Sequence, residues 1–186
     1  MTRLAQGEDA ALNCLMDRHA QKLFQFLLRA LQDEADAADL AQESFVRVYQ
    51  SSARFDPRQK FTTWLYAIAS NLVRDRYRWR TRHPQVSLQS LQSPSERGPA
   101  DHLLSPGTSP DQDLDLKERA AAVRQAIAIL PEEIRQPLIL AVYQGLSQPE
   151  IATILKCSVK AVETRIYRAR QQLRATLSRT IAMPES

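Results

Sequence analysis

The stretch LSQPEIATILKCSVKAVETRIYRARQQL, residues 146–173, contains two helical segments separated by a short turn. Ser147 and Glu150 have the spacing of a capping box, which predicts a helix over residues 148–156. Cys157 and Ser158 supply the turn, and Ser158 can cap a longer helix from residue 159 to about residue 178. Two helices joined by so short a turn predict a helix-turn-helix motif.

The second helix of this motif is amphipathic and strongly basic. Its apolar residues recur at helical spacing: Val162, Ile166, Ala169, Leu173 and Leu177. With that stripe buried, the residues that face outward are Lys160, Glu163, Thr164, Tyr167, Arg168 and Gln171. Such a face suits the major groove of duplex DNA, with the first turns on base edges and the later arginines on phosphates. The alternative is a basic surface helix without a ligand.

The rest of the chain is also patterned as helices. Amphipathic stripes run through residues 8–31, 35–51 and 62–82, and helical patterns resume over residues 114–130 and 132–144. No window alternates apolar and polar residues as a strand would. The fold class predicted is therefore all-α, built from helices that bury their stripes against one another.

Two residues modify the predicted helix over residues 132–144. Pro137 lies inside it and predicts a kink or a shortened helix, because proline lacks the N–H that the helix requires. Gly145 follows it as a C-terminal cap.

Residues 84–116 differ from both sides of the chain in composition. They hold five of the ten prolines and two of the four glycines, which is typical of a flexible linker. Their net charge is −4, whereas residues 1–83 carry +3 and residues 117–186 carry +5. The sequence thus predicts two small helical domains, 1–83 and 117–186, whose basic faces bind polyanions separately.

A second basic site ends the first domain. The run RDRYRWRTR, residues 74–82, has five arginines with Tyr77 and Trp79 between them. Upstream, a predicted loop at residues 52–61 contains aromatic residues and Lys60. Aromatic rings beside cations bind single-stranded nucleic acid, because unstacked bases stack on the rings. The alternative places Phe61, Trp64 and Trp79 in the core, and the helical spacing of Trp64 with Ile68 favours the core for Trp64.

Several function classes lack their usual signals. The four glycines form no phosphate-binding loop, and the three histidines and two cysteines have no metal-ligand spacing. The carboxylates Asp33, Glu34, Asp36 and Asp39 lie at one helix end without a histidine partner. No apolar run reaches the length of a membrane span or a secretory signal. We therefore expect a cytoplasmic, non-enzymatic protein with no cofactor, no metal and no membrane insertion.

Two long motifs resemble one known family. DLAQESFVRVYQ (39–50) and FDPRQKFTTWLYAIASNLVRDRYRWR (55–80) resemble region 2 of the extracytoplasmic-function (ECF, group IV) sigma factors of bacterial RNA polymerase. LPEEIRQPLILAVYQGLSQPEIATILKCSVKAVETRIYRARQQLRATL (130–177) resembles their region 4. GLSQPEIA (145–152) is also similar to sigma factors that control heavy-metal resistance.

The resemblance implies a promoter-specificity subunit of core RNA polymerase that melts DNA and is held inactive by an anti-sigma factor. It places contacts to core polymerase at Asp39, Gln42, Glu43 and Phe45. Together with the basic run, it places contacts to single-stranded −10 DNA at Phe55, Lys60, Phe61, Asn71, Arg74 and Arg78. Contacts to the duplex −35 element fall at Lys160, Glu163, Thr164, Arg165, Arg168 and Arg170.

One pair of residues departs from the family pattern. Many members have a basic residue followed by serine where this chain has Glu163 and Thr164. A glutamate would accept from a cytosine amino group instead of donating to guanine. A different interpretation of the whole chain is a stand-alone helix-turn-helix regulator, which binds duplex DNA through residues 147–178 and uses residues 1–83 for dimerisation.

Overall fold

The computed structural model of the chain describes residues 1–83 and 110–181, with side chains described for residues 118–178 of the second range. Within these residues the chain forms α-helices and no strand, which confirms the all-α prediction. The helices of the first unit are α1 (Thr2–Ala5), α2 (Ala10–Leu31), α3 (Glu34–Gln50) and α4 (Phe61–Arg82), with a 3-10 turn at Ser52–Arg54. The helices of the second unit are α5 (Pro110–Ile129), α6 (Glu132–Val142), α7 (Gln148–Leu155) and α8 (Val159–Ile181).

The first unit is a small bundle in which α2, α3 and α4 pack on one another. Leu23, Phe26 and Leu27 of α2 are fully buried, as their helical spacing predicts. The chain reverses between α2 and α3 at Gln32, which has a left-handed φ of 58°. Asp33 then caps α3, because its Oδ1 accepts from the Asp36 amide at 2.9 Å.

Ion pairs join α3 to α4. Asp36 accepts from Arg76 and from Arg80, the latter at 2.6 Å, and Arg80 also lies 3.2 Å from Asp33. The side chains of Asp36 and Arg80 are only 13% and 20% exposed. Two of the five arginines in the basic run therefore stabilise helix packing and do not face a ligand.

The second unit differs from the sequence prediction at its first two helices. Helix α5 begins at Pro110, four residues before the predicted start at residue 114. Helix α6 continues through Pro137 and ends at Val142, two residues short of residue 144. Gly145 follows with a left-handed φ of 64°, so the Leu146 amide can donate back to the Leu140 carbonyl at 3.2 Å.

The helix-turn-helix forms as predicted. The capping box of α7 is present, with the Ser147 amide donating to Glu150 Oε2 at 2.8 Å. Lys156 ends α7 in a left-handed conformation with φ of 52°. Ser158 then caps α8, since its Oγ accepts from the Ala161 amide at 3.1 Å. Val162, Ile166 and Ala169 are buried, so the opposite face of α8 is left outward.

The two units share one continuous core. Helix α4 packs against α7, and α2 packs against α6 and α5. We call this interface the seam. The two helical units predicted from the sequence are thus in direct contact, which the sequence did not predict. Residues 84–109, most of the predicted linker, lie outside the described residues.

Candidate nucleic-acid interface

Three aromatic rings form a cluster at the start of α4. The Phe55 and Trp64 ring centroids lie 5.1 Å apart, and Phe61 lies 6.3 Å from Trp64 and 6.5 Å from Phe55. All three side chains are half-buried. Phe61 is the first residue of α4 and not a loop residue. Trp64 packs on the core, as its spacing favours, yet it also contacts both phenylalanines.

Lys60 precedes this cluster and is mostly exposed, with 75% of its side chain accessible. Its Nζ donates to Glu150 Oε1 at 2.7 Å, across the seam. The hydrogen bonds from Lys60 and then from Ser147 lower the pKa of Glu150 to about 2. In this arrangement the cation of the predicted single-strand site is paired with the first turn of α7.

Asn71 lies on the same face of α4 as Trp64, because the two residues are seven apart. It is half-buried, and its Oδ1 accepts from Arg74 Nη1 at 3.3 Å. Arg78 is exposed and lies 3.9 Å from Asp75. Since each residue adds 1.5 Å of rise, Asn71 is about 15 Å along the helix from Phe61. The helix thus places the aromatic cluster, Asn71 and the outward arginines along one surface.

Helix α8 presents most of its predicted DNA-facing residues to solvent. Lys160, Thr164, Arg168 and Arg170 are exposed, whereas Glu163 and Arg165 are partly covered. Glu163 accepts from Lys160 Nζ at 3.3 Å.

Tyr167 lies on the same outward face of α8. It is 63% exposed and its hydroxyl accepts from Gln171 at 2.9 Å. The sequence predicted that Tyr167 faces outward but did not include it among the −35 contacts. Its exposure places it on the same surface as those residues.

The acidic face of α3 is open in part. Asp39 and Gln42 are exposed, and Glu43 accepts from Arg47 at 2.8 Å. Phe45 is different: it is 4% exposed and belongs to the core. The prediction that Phe45 contacts a partner is therefore corrected, because its position in the DLAQESF motif reflects packing within the bundle.

Buried polar groups in the seam were not found from the sequence. The Tyr77 hydroxyl donates to the Ala30 carbonyl and accepts from Arg135 Nη2, both at 2.7 Å. Burial raises the pKa of Tyr77 and lowers that of Arg135. Tyr66 donates to Gln144 at 2.5 Å, and burial raises the pKa of Tyr66 to about 12. The only sequence signal for these contacts was a tyrosine inside the arginine run.

Trp79, the other aromatic residue of that run, remains outward. It is 41% exposed and stacks on His83, with ring centroids 5.0 Å apart.

Among the residues whose structure is described, no group of three or more histidine, cysteine, aspartate or glutamate side chains could hold a metal ion. Of the helices in the two described ranges, none is both long and apolar enough to span a membrane.

A helix-turn-helix with an outward basic helix, joined to a bundle with a basic-aromatic surface, is the arrangement typical of a helical DNA-binding protein. Residues 15–83 match the Sigma-70 region 2 family, and residues 120–173 match the Sigma-70, region 4 family. The RNA polymerase sigma-H factor of Pseudomonas aeruginosa is 34% identical over 171 residues, which cover 92% of this chain and 88% of the relative.

Two further relatives agree. The ECF RNA polymerase sigma factor SigW of Bacillus subtilis is 33% identical, over 94% of this chain and 93% of the relative. The solved structure of CnrH in complex with the cytosolic domain of CnrY has a TM-score of 0.66 and 30% identity, over 95% of this chain and 94% of that chain.

The chain belongs to the ECF sigma factors of bacterial RNA polymerase. CnrH is no more similar to this chain than the other two relatives are, and the resemblance to heavy-metal-resistance sigma factors stays a prediction.

Proposed function

We propose that this sigma factor binds core RNA polymerase through α3, captures melted −10 DNA on the start of α4, and binds the duplex −35 element with α8. It has no catalytic step of its own and acts in the cytoplasm, where core polymerase is. One observation carries the proposal: two different nucleic-acid-type surfaces occur in one chain, each within a matched sigma-70 region.

The proposed contact with core polymerase uses Asp39, Gln42 and Glu43. The proposal is supported by their position on the outward side of α3, whose opposite side is buried. Val46 and Tyr49 are 46% and 47% exposed and add apolar area to this helix. An apolar patch with polar and charged residues at its rim is typical of protein interfaces.

The proposed −10 surface combines the aromatic cluster with Lys60, Asn71, Arg74 and Arg78. Half-exposed rings offer faces on which unstacked bases stack, and the cations neutralise phosphates. Arg76, Arg80 and Tyr77 are omitted, because they bond to Asp36, Asp33 and Arg135 within the protein.

We further propose that an anti-sigma protein stabilises the arrangement in which the seam is closed. CnrH was solved with the cytosolic domain of CnrY, and its fold is similar to that of this chain. In the closed arrangement Lys60 is bonded to Glu150, so it is not free to bind a phosphate. A partner that favours this state would hold back DNA binding. Purification from the native host without a co-purifying regulator, under uninduced conditions, would contradict this proposal.

The family match does not favour the stand-alone regulator, and an experiment can distinguish it from a sigma factor. It would bind duplex DNA without core polymerase and would have no use for a single-strand surface.

In vitro transcription with core polymerase tests the main proposal. The wild-type chain should direct initiation from a −10/−35 promoter, and Phe61→Ala should reduce open-complex formation more than core binding. Loss of one aromatic stack corresponds to roughly 1–3 kcal/mol. A normal permanganate footprint of the melted −10 region with Phe61→Ala would refute the role of this cluster.

A further inference from the structure

The aromatic cluster at the start of α4 has a fourth ring, which comes from α2. The His19 ring centroid lies 5.1 Å from that of Phe61, with the two planes tilted by 58°. His19 is half-buried, so it is neither a free surface side chain nor part of the closed core. Helix α2 thus forms a second wall beside the loop and the start of α4.

The neighbours of His19 fit a nucleic-acid strand. Arg18 and Lys22 flank it on α2, and both are exposed. Asp17 is the acidic residue next to this group. Burial, followed by the charges of Lys22 and Arg18, lowers the pKa of His19, so its ring is neutral near pH 7. A neutral ring packs against phenylalanine without the cost of desolvating a charge.

Phe61 is the first residue of α4, so no helical turn precedes it. Its ring is held by its neighbours: Phe55 and Trp64 contact it at centroid distances of 6.5 and 6.3 Å, and His19 lies nearer, at 5.1 Å. A ring that must stack on a base loses rotational freedom when it binds, and this loss weakens binding. A neighbour that restricts the ring beforehand removes part of that cost.

We propose that His19 is a positioning residue of the −10 surface: its ring holds Phe61 in the orientation that stacks on an unpaired base, while Arg18 and Lys22 bind the phosphates of the same strand. This inference rests on the proposed −10 function and extends that surface from α4 to α2. The ligand it implies is single-stranded DNA that lies across both helices.

The test uses holoenzyme, reconstituted from core polymerase and the full chain. The probe is a single-stranded oligonucleotide carrying the −10 sequence that wild-type holoenzyme selects from a random promoter library. One base is replaced by 2-aminopurine, whose fluorescence reports stacking. The variants are His19→Ala and His19→Phe. His83→Ala is the matched control, since His83 stacks on Trp79 at 5.0 Å at the far end of α4.

We expect His19→Ala to weaken binding of this strand about 2- to 10-fold, which is the change in affinity that the loss of one aromatic pair produces. It should also change the 2-aminopurine signal of the bound strand. His19→Phe keeps a ring against Phe61 and should bind within about twofold of wild type. His83→Ala should also stay within about twofold. Affinity for core polymerase and for duplex −35 DNA should be unchanged in all three variants.

Each contrary result has its own meaning. If wild-type holoenzyme does not prefer the selected strand to a scrambled one, the proposed −10 function is wrong. If it does and His19→Ala binds equally well, the role of His19 alone is refuted. Equal losses of −10 and −35 binding in His19→Ala would show a purely structural role. A loss in His19→Phe as large as in His19→Ala would overturn positioning through ring packing.

Discussion

Glu163 has two candidate partners, a base edge and its neighbour Lys160. The carboxylate lies in the first two turns of α8, the part of a recognition helix that meets bases. It also accepts from Lys160 at 3.3 Å, an exposed pair that contributes little to stability. Because the pair is weak, DNA can separate it at small cost.

We therefore predict that Glu163→Ala changes the preferred base at one −35 position, by roughly 1–3 kcal/mol of discrimination. A promoter-library selection with both proteins measures this. Identical −35 sequence logos would mean that Glu163 is only the ion-pair partner of Lys160.

Arg170 provides the contrast to Glu163. It is exposed two turns later on α8, where phosphates are the expected targets. Arg170→Ala should weaken binding to all duplex sequences equally and reduce the salt slope by about one unit. Binding measured over a range of salt concentrations tests this. A change of base preference in Arg170→Ala would contradict the assignment to phosphate.

The pKa of Glu150 depends on Lys60. A carboxyl whose pKa falls from 4.5 to about 2 on folding contributes stability above pH 4.5 that is lost as the pH falls towards 2. Lys60→Ala removes the largest cause, so the pKa of Glu150 should rise while Ser147 still keeps it below 4.5. Carboxyl ¹³C NMR titration measures the shift, with Arg58→Ala as an exposed control from the same loop. An unchanged titration would mean that Lys60 and Glu150 are apart in solution.

At the scale of elements, the exposed side of α3 predicts a binding defect without a folding defect. Asp39→Lys combined with Glu43→Lys reverses two charges on that side while leaving the buried side intact. Affinity for core polymerase, measured by fluorescence anisotropy, should fall while helicity is unchanged. Asp17→Lys combined with Glu118→Lys makes the same change of charge on exposed residues of α2 and α5. Equal affinity of a folded Asp39/Glu43 variant and the wild type would remove α3 from the interface.

Helix positions could be predicted from the sequence because periodicity and caps are local signals. The capping box at Ser147 and the N-cap at Ser158 gave the boundaries of α7 and α8 to within a few residues. The start of α5 was missed, since the proline and the acidic residues of its first turn are also typical of a linker. Proline is tolerated in the first turn of a helix, so Pro110 does not exclude one.

The roles of the five arginines could not be separated by local pattern. Arg76 and Arg80 pair with Asp36 because they lie on the side of α4 that packs against α3. Arg78 lies on the outer face of α4. Which side of a helix faces its neighbour depends on the whole bundle. The same holds for Phe45. The motif predicted that it lies at an interface, whereas helix packing buries it in the core.

At the scale of the whole molecule, Tyr77 joins three helices. Its hydroxyl contacts the Ala30 carbonyl of α2 and Arg135 of α6, while its ring belongs to α4. Tyr77→Phe removes the hydroxyl that accepts from Arg135 Nη2. Arg135 Nε already lacks a hydrogen-bond partner among the described residues. The free energy of unfolding should fall by about 1–3 kcal/mol. Urea denaturation measures it, and the exposed Tyr167→Phe should change it by less than about 0.5 kcal/mol. Equal stability of Tyr77→Phe and wild type would contradict the bond to Arg135.

The seam itself was beyond sequence reasoning, because its contacts join residues about 60 to 90 positions apart. Nothing in the local pattern pairs Tyr66 with Gln144. The sequence did show two basic units and a linker, and it left their relative position undetermined. Contact between the units has a functional consequence, since Lys60 belongs both to the seam and to the proposed −10 surface.

The closed seam can be tested with the two native cysteines, one in each unit. Cys14 is exposed on α2 and Cys157 is partly exposed in the turn before α8, so a donor and an acceptor dye report the separation of the units. Glu150→Gln removes the charge but keeps a side chain that a capping box accepts, and Gln144→Ala removes the acceptor of Tyr66. Together these changes remove about 1–2 kcal/mol of seam interaction, which shifts the closed-to-open ratio about 5- to 30-fold. Energy transfer should therefore be lost at a lower urea concentration than in wild type. Glu118→Gln with Gln171→Ala, both exposed and outside these contacts, should match wild type. Unchanged energy transfer in the seam variant would mean that the apolar core alone holds the units together.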